Sequence, residues 1–234
     1  MAEADARNRR ITSANVMFCL DTTGSMEFAI DAVKEAIIKV AEIYMTARID
    51  MRVGLIEFRD RIHANIGGDH RYDGGYHTLR MLDFGEQGSF TDNINTFEQE
   101  VSELSARGGG PADESSFDAM AYAARDSAWV EGSTKVIIHI TDAPPRIPDY
   151  EISNIGQLRE VMSDSGIEQI FVVAPDAVHD YFENLSLVER SEGQWALVSF
   201  HELQDNPTVD HLVEVLEIIA QTSSESISES DGPD

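Results

Sequence analysis

Apolar positions recur along this chain with two alternating spacings. A short apolar run from Val16 to Leu20 is followed by the polar Asp21-Thr22-Thr23-Gly24-Ser25. Beyond it Met26, Ala29, Ile30, Val33, Ala36, Ile37, Val40, Tyr44 and Ala47 fall at three- and four-residue steps. The run has the length of a strand, and the stepped stretch predicts a helix over 26–47 that buries one face, with Ser25 at its N-cap. The same alternation continues. A strand is expected over 51–58, then a polar, glycine-rich loop over 59–77, an edge strand over 78–84 and a helix over 91–104. After Gly108-Gly109-Gly110 a helix is expected over 114–128. It leads to 135–141, whose Val136, Ile137, Ile138 and Ile140 form the near-continuous apolar run of a parallel strand covered on both faces. A helix over 154–163, a strand over 168–174, a helix over 177–188, a strand over 195–200 and a helix over 208–220 complete the pattern. Strands alternating with helices imply an α/β fold: a doubly wound, mostly parallel central sheet with helices on both faces. The expected organisation is an N-terminal arm over 1–13, one domain over 14–222 and a serine-rich, acidic, disordered tail over 223–234.

Composition narrows the partners. The 234 residues, 42% of them hydrophobic, suffice for one core. A net charge of -26, from 43 acidic and 17 basic residues, repels nucleic acid and anionic membranes, so neither is expected as a partner. Only Lys34, Lys39 and Lys135 are lysine. A halophilic source, an acidic partner-binding face and an ordinary soluble protein all fit that surface. No apolar stretch has the length of a signal-peptide core or a membrane span, and the lone Cys19 falls in the first strand as a buried, inert thiol. A cytoplasmic location is the expectation.

The chemistry sits where strands end. Asp21, Thr23 and Ser25 alternate in a turn at a strand's carboxyl end, where an open α/β sheet places its ligand crevice. Several hard oxygens aimed at one point suit Mg²⁺ or Mn²⁺ in preference to Ca²⁺. The phrase Asp-x-Thr-x-Ser in this setting resembles the metal-ion-dependent adhesion site of the von Willebrand factor type A family. That site is built from three strand-terminal loops. The resemblance carries Asp21, Thr23 and Ser25 onto the first loop, and Asp142, in Thr141-Asp142-Ala143-Pro144-Pro145, onto the third. For the second loop, Gly108-Gly109-Gly110-Pro111-Ala112-Asp113-Glu114 is similar to the Gly-Gly-Gly-Asp-x-Pro-Glu phrase of one branch of the family, with proline and acid exchanged. Asp113 is the first choice of ligand there and Glu114 the second. Phe58-Arg59-Asp60 also fits that branch. The resemblance implies a metal ion that takes a carboxylate of a partner protein as a further ligand, no enzymatic activity, and an association with AAA+ ATPase systems.

Other readings stay open. Asp21 to Ser25 alone could be a helix-capping turn, and Asp142 alone a turn acid. A Mg²⁺-dependent phosphohydrolase would use Asp21 as nucleophile, although Thr23 stands where its second acid belongs. A metal-free structural or interaction domain is the other alternative. His63, His70 and His77 recur every seven residues and read as solvated rather than as a zinc site. Arg59, Asp60, Arg61 and the acids over 69–73 read as mixed surface charge, and Trp129 and Trp195 as core residues.

Overall fold

The computed structural model of the protein describes residues 13–46, 50–61, 71–73, 75–110, 113–183, 185 and 195–199. Residues 1–12 of the expected arm, the helix over 208–220, the tail, His63 and His70 lie outside them, and Ser13, expected as the arm's last residue, begins the first strand.

Six strands form one sheet in the order β5-β2-β1-β6-β7-β8: β1 Ser13–Asp21, β2 Asp50–Phe58, β5 Leu79–Met81, β6 Thr134–Ile140, β7 Gln169–Ala174 and β8 Trp195–Ser199. A two-stranded ribbon, β3 Tyr72–Asp73 with β4 Tyr76–His77, stands apart. All sheet pairings are parallel except β2 with the edge strand β5. β1 lies between β2 and β6, in a register that sets Asp21 beside Phe58 and Leu20 beside Ile140. Three strand ends are thereby aligned at one edge.

The alternation of side chains along β1 divides the core. Val16, Phe18 and Leu20 face one cluster with Ile30, Val33, Ala36 and Ile37 of α1 (Ile30–Thr46) and Phe97 and Val101 of α2 (Ile94–Ser102). Met17 and Cys19 face the other, with Phe117, Met120 and Ala124 of α3 (Ser116–Asp126) and Leu158 and Met162 of α4 (Ile155–Asp164). Covering both faces is what the continuous apolar strands require. Cys19 is fully buried and unpaired, and burial pushes its thiol far up, as expected of an inert core cysteine. The indole of Trp129 packs against Phe90 and donates to the carbonyls of Ala123 and Ala124. Gly54 in β2 is required by packing: a Cβ there would lie 2.3 Å from the Ser89 carbonyl oxygen, where the 89–91 segment pairs with β2 through Val53 and Thr91.

Several element limits differ from expectation for local reasons. α2 starts at Ile94, because Thr91 exchanges main-chain bonds with Val53 and the Asn93 side chain caps the amides of Asn95 and Thr96. The stretch expected as helix from 177 is 3-10 over Asp176–Tyr181, with three-residue bonds from Val178 N to Pro175 O and Phe182 N to His179 O. The first helix opens as a 3-10 turn over Gly24–Phe28, with α1 proper beginning at Ile30. Ser25 is inside that turn and is not its cap.

Candidate metal centre

Three loops meet at the carboxyl edge of β1, β2 and β6, and main-chain bonds hold them in register. Thr22 N donates to Phe58 O, Arg107 N to Thr22 O, and Gly24 N to Gly108 O, tying the loop after β1 to β2 and to the 105–110 segment. Glu114 N donates to Pro144 O and Arg146 N to Glu114 O, so the second loop is zipped to the third.

Within this frame Asp21 is fully buried. Its Oδ1 accepts from Thr23 N at 2.9 Å and Thr23 Oγ1 at 2.7 Å, and its Oδ2 from Thr141 Oγ1 at 2.7 Å. Thr23 Oγ1 lies 3.0 Å from Ser25 Oγ, which donates to Asp142 Oδ1 at 3.0 Å. An unbroken oxygen path therefore runs from buried Asp21 through two hydroxyls to half-buried Asp142, with exposed Ser25 at the mouth. The Ser25 hydroxyl is spent on Asp142, which is why it does not cap the helix.

Glu114 and Asp113 separate clearly. Glu114 is 3% exposed, and its Oε2 has no hydrogen-bond partner among the described residues. Burial, then the charges of Asp21, Asp60 and Asp142, raise its carboxyl to about 10, with only Arg146 opposing. Asp113 is half-buried. Its carbonyl accepts from Arg146 Nη2, while its carboxylate makes no hydrogen bond or ion pair among the described residues. Burial and the charge of Asp142 raise Asp21 to about 6 against the hydrogen bonds from Thr141 and Thr23, and burial also raises Asp142. Gly109 adopts φ +93°, and a Cβ on it would lie 2.8 Å from Thr23 Cβ and 3.1 Å from Glu114 Oε1. Only glycine lets this loop close over both residues. Asp21, Glu114 and Asp142 do not meet as a bare carboxylate triad. Among the described residues no three His, Cys, Asp or Glu side chains form a metal-holding group, and hydroxyls separate the acids here.

Residues 59–61 depart most from the sequence reading. Arg59, Asp60 and Arg61 are 1%, 0% and 7% exposed rather than surface charge. Each is buried because it is matched. Arg59 pairs with Glu57 and donates to the carbonyls of Arg107, Ser105 and His77. Asp60 takes both ends of the Arg146 guanidinium. Arg61 Nη1 meets Asp118 at 2.7 Å and Glu151 at 2.8 Å. Thr141 and Arg146 were not among the expected site residues. The signal that pointed to them was slight: a hydroxyl beside the candidate Asp142, and one arginine after two prolines in a strongly acidic chain. His77 is half-buried, its ring against Tyr72.

No protein-family model matches the chain. Among curated proteins it is similar to the alpha-protein kinase vwkA of Dictyostelium discoideum, 29% identical over 138 residues, which is 58% of this chain and 19% of that protein. Among solved structures it resembles the pilus adhesin SpaC of Lactobacillus rhamnosus GG in its open conformation (TM-score 0.61, 15% identity, 92% of this chain and 30% of that one). It also resembles a von Willebrand factor type A protein of Catenulispora acidiphila (0.57, 15%, 89% and 42%) and the mussel byssus proximal thread matrix protein 1 (0.61, 10%, 89% and 47%). The chain spans less than half the length of each. Together with the strand order and the strand-terminal loops, these likenesses identify the architecture: the chain has the von Willebrand factor type A fold.

Proposed function

We propose that this protein is a divalent-cation-dependent protein-recognition module in which Asp21, Thr23, Ser25, Glu114 and Asp142 hold Mg²⁺ or Mn²⁺. The observation that carries the reading is the oxygen path Asp21–Thr23–Ser25–Asp142, flanked by a buried Glu114 oxygen that no group of the described residues satisfies. A buried carboxylate oxygen without a donor costs free energy, and a cation is the group that would offset that cost. The donors are all hard oxygens, and two are neutral hydroxyls, so the set fits Mg²⁺ or Mn²⁺ better than a soft metal. Bound there, the ion would supply an electrophilic centre able to take a partner protein's carboxylate. The chain's own part is to hold the hydroxyls in place through Asp21 and to leave the Ser25 side open to solvent.

Between the second-loop acids, the proposal takes Glu114 over Asp113, because the charges of Asp21 and Asp142 act on Glu114. A phosphohydrolase is disfavoured on the same geometry. Asp21 is fully buried and its carboxylate is oriented by three hydrogen bonds from Thr23 and Thr141, whereas an in-line nucleophile needs an approach open to substrate. Calorimetric titration with Mn²⁺ tests the reading. Wild-type protein is expected to bind, Asp21→Asn and Glu114→Gln to bind far more weakly, and Asp113→Ala to bind like wild type. No heat of binding in the wild type would refute the metal reading. Loss in Asp113→Ala alone would restore Asp113 as the ligand.

A further inference from the structure

Arginines gather at the metal-bearing edge of a chain whose net charge is -26. Arg59, Arg61, Arg80 and Arg146 each face an acid of this chain: Glu57, Asp118 with Glu151, Glu57, and Asp60 respectively. Arg107 does not. Its side chain is exposed, and its guanidinium makes no hydrogen bond or ion pair among the described residues. Yet its main chain is held firmly. Arg107 N donates to Thr22 O, its carbonyl accepts from the buried Arg59 at 2.7 Å, and the adjacent Gly108 carbonyl accepts from Gly24 N. An exposed cation, unmatched among the described residues, is thus anchored through main-chain hydrogen bonds to the strand-terminal loop that carries Thr23 and Ser25. In so acidic a protein, an anionic ligand is repelled by the molecule as a whole and needs a local positive group to be received. A guanidinium also offers a planar fork that matches a carboxylate.

We infer that Arg107 is a specificity-determining residue of this site, and that the partner is a protein segment bearing two carboxylates, one taken by the metal and the other by Arg107. This rests on the metal reading above. A segment with a single acid satisfies only the ion. One with a second acid within a side chain's reach gains a charge-assisted pair at the rim. Selectivity then comes from the spacing of two charges rather than from the metal alone.

The test uses the full chain loaded with Mn²⁺, at near-physiological salt. Small acids serve as probes: acetate, succinate, glutarate and adipate, each measured by its displacement of Mn²⁺-bound water in proton relaxation. At least one diacid is expected to act at roughly fivefold lower concentration than acetate, the size of an exposed ion pair. Arg107→Gln is expected to remove that ratio while the Mn²⁺ dissociation constant stays as in the wild type, and Arg107→Lys to restore part of it. A ratio unchanged in Arg107→Gln would overturn the inference, since the advantage would then be simple chelation. So would equal action of all four acids. Weakened Mn²⁺ binding in Arg107→Gln would make the residue a support of the metal loop instead. Absence of Mn²⁺ binding in the wild type would sink the metal reading itself, an outcome distinct from these.

Discussion

Two groups of buried acids stand at the same edge of the sheet, and they are completed in opposite ways. In one, Asp118 accepts from Arg61, Glu151 N and Ile152 N, and Asp149 accepts from Asp118 N and Tyr150 N. In the other, Asp21 and Asp142 are served mainly by the hydroxyls of Thr23, Thr141 and Ser25, and one oxygen of Glu114 by nothing among the described residues. Burial raises the acids in both, so proximity and pKa do not distinguish them. The source of the compensating positive charge does. The Asp118 group carries its own cation, Arg61, and clamps the 149–152 segment to α3. In the Asp21 group no described arginine or lysine pairs with Asp21, Glu114 or Asp142, and Arg146, the cation that acts on Glu114, is paired to Asp60.

The largest expected effect comes from breaking the self-sufficient group. Asp118→Ala leaves Arg61 with the half-exposed Glu151 as its remaining described acid and frees two amides, which should cost about 3–5 kcal/mol. Asp21→Ala should cost far less in EDTA, or even stabilise, because it removes one of several mutually repelling acids. Urea denaturation of the two variants side by side measures this, and equal losses would erase the distinction drawn here.

Next in size is the response to pH. The Asp149 carboxyl, raised by burial and then by the Asp118 charge from 3.8 to about 7, is more readily protonated in the folded chain than in the unfolded one. Its contribution is fully present below the unfolded value and is lost as pH rises through about 7. In EDTA, stability should therefore fall over that window, by at most about 1.4 kcal/mol per pH unit from this residue. Asp149→Asn should flatten that part of the profile. A slope unaffected by the substitution would assign it to the Asp21 group instead.

Added Mg²⁺ sharpens the comparison from the other side. At a hundred times its dissociation constant it should stabilise the fold by about 2.7 kcal/mol, and EDTA should reverse the gain. The gain should grow from pH 5 to 7 as Asp21, held near 6, loses its proton to solvent and the ion no longer has to displace it. Thermal unfolding at several pH values tests both statements, and a melting temperature indifferent to millimolar Mg²⁺ would remove the contrast. The smallest effect is steric. Gly109→Ala should cost about 1–2 kcal/mol through its positive φ and should weaken Mn²⁺ binding by pressing on Thr23 and Glu114, whereas Gly85→Ala, also at positive φ but with nothing within 4 Å, should leave the metal untouched.

What could be read in the sequence follows from how far apart the cooperating residues lie. Asp21, Thr23 and Ser25 are neighbours on one turn, and the strand before them and the helix after are strongly patterned, so the loop and the fold around it were legible. Ser25 was expected as a cap, and the structure turns it to Asp142, 117 positions away. Arg59, Asp60 and Arg61 looked like solvated charge because the partners that bury them arrive from residues 57, 107, 118, 146 and 151. Asp113 ranks ahead of Glu114 on the sequence, where the pairing of Glu114 with the Pro144–Arg146 segment, which orients that stretch of chain, is not visible. The 3-10 stretch after β7 carries apolar Val178, Phe182 and Leu185 at helical spacing, which hides the shorter bonds it makes.

The three-residue strand β5 has a consequence of another kind. It closes one side of the sheet with its antiparallel Leu79–Met81 ladder on β2, and its central Arg80 is drawn across to Glu57. A short border carrying a fixed charge is a poor template for a strand from a second molecule. It protects the long parallel interior from edge-to-edge aggregation when the protein is concentrated or newly made.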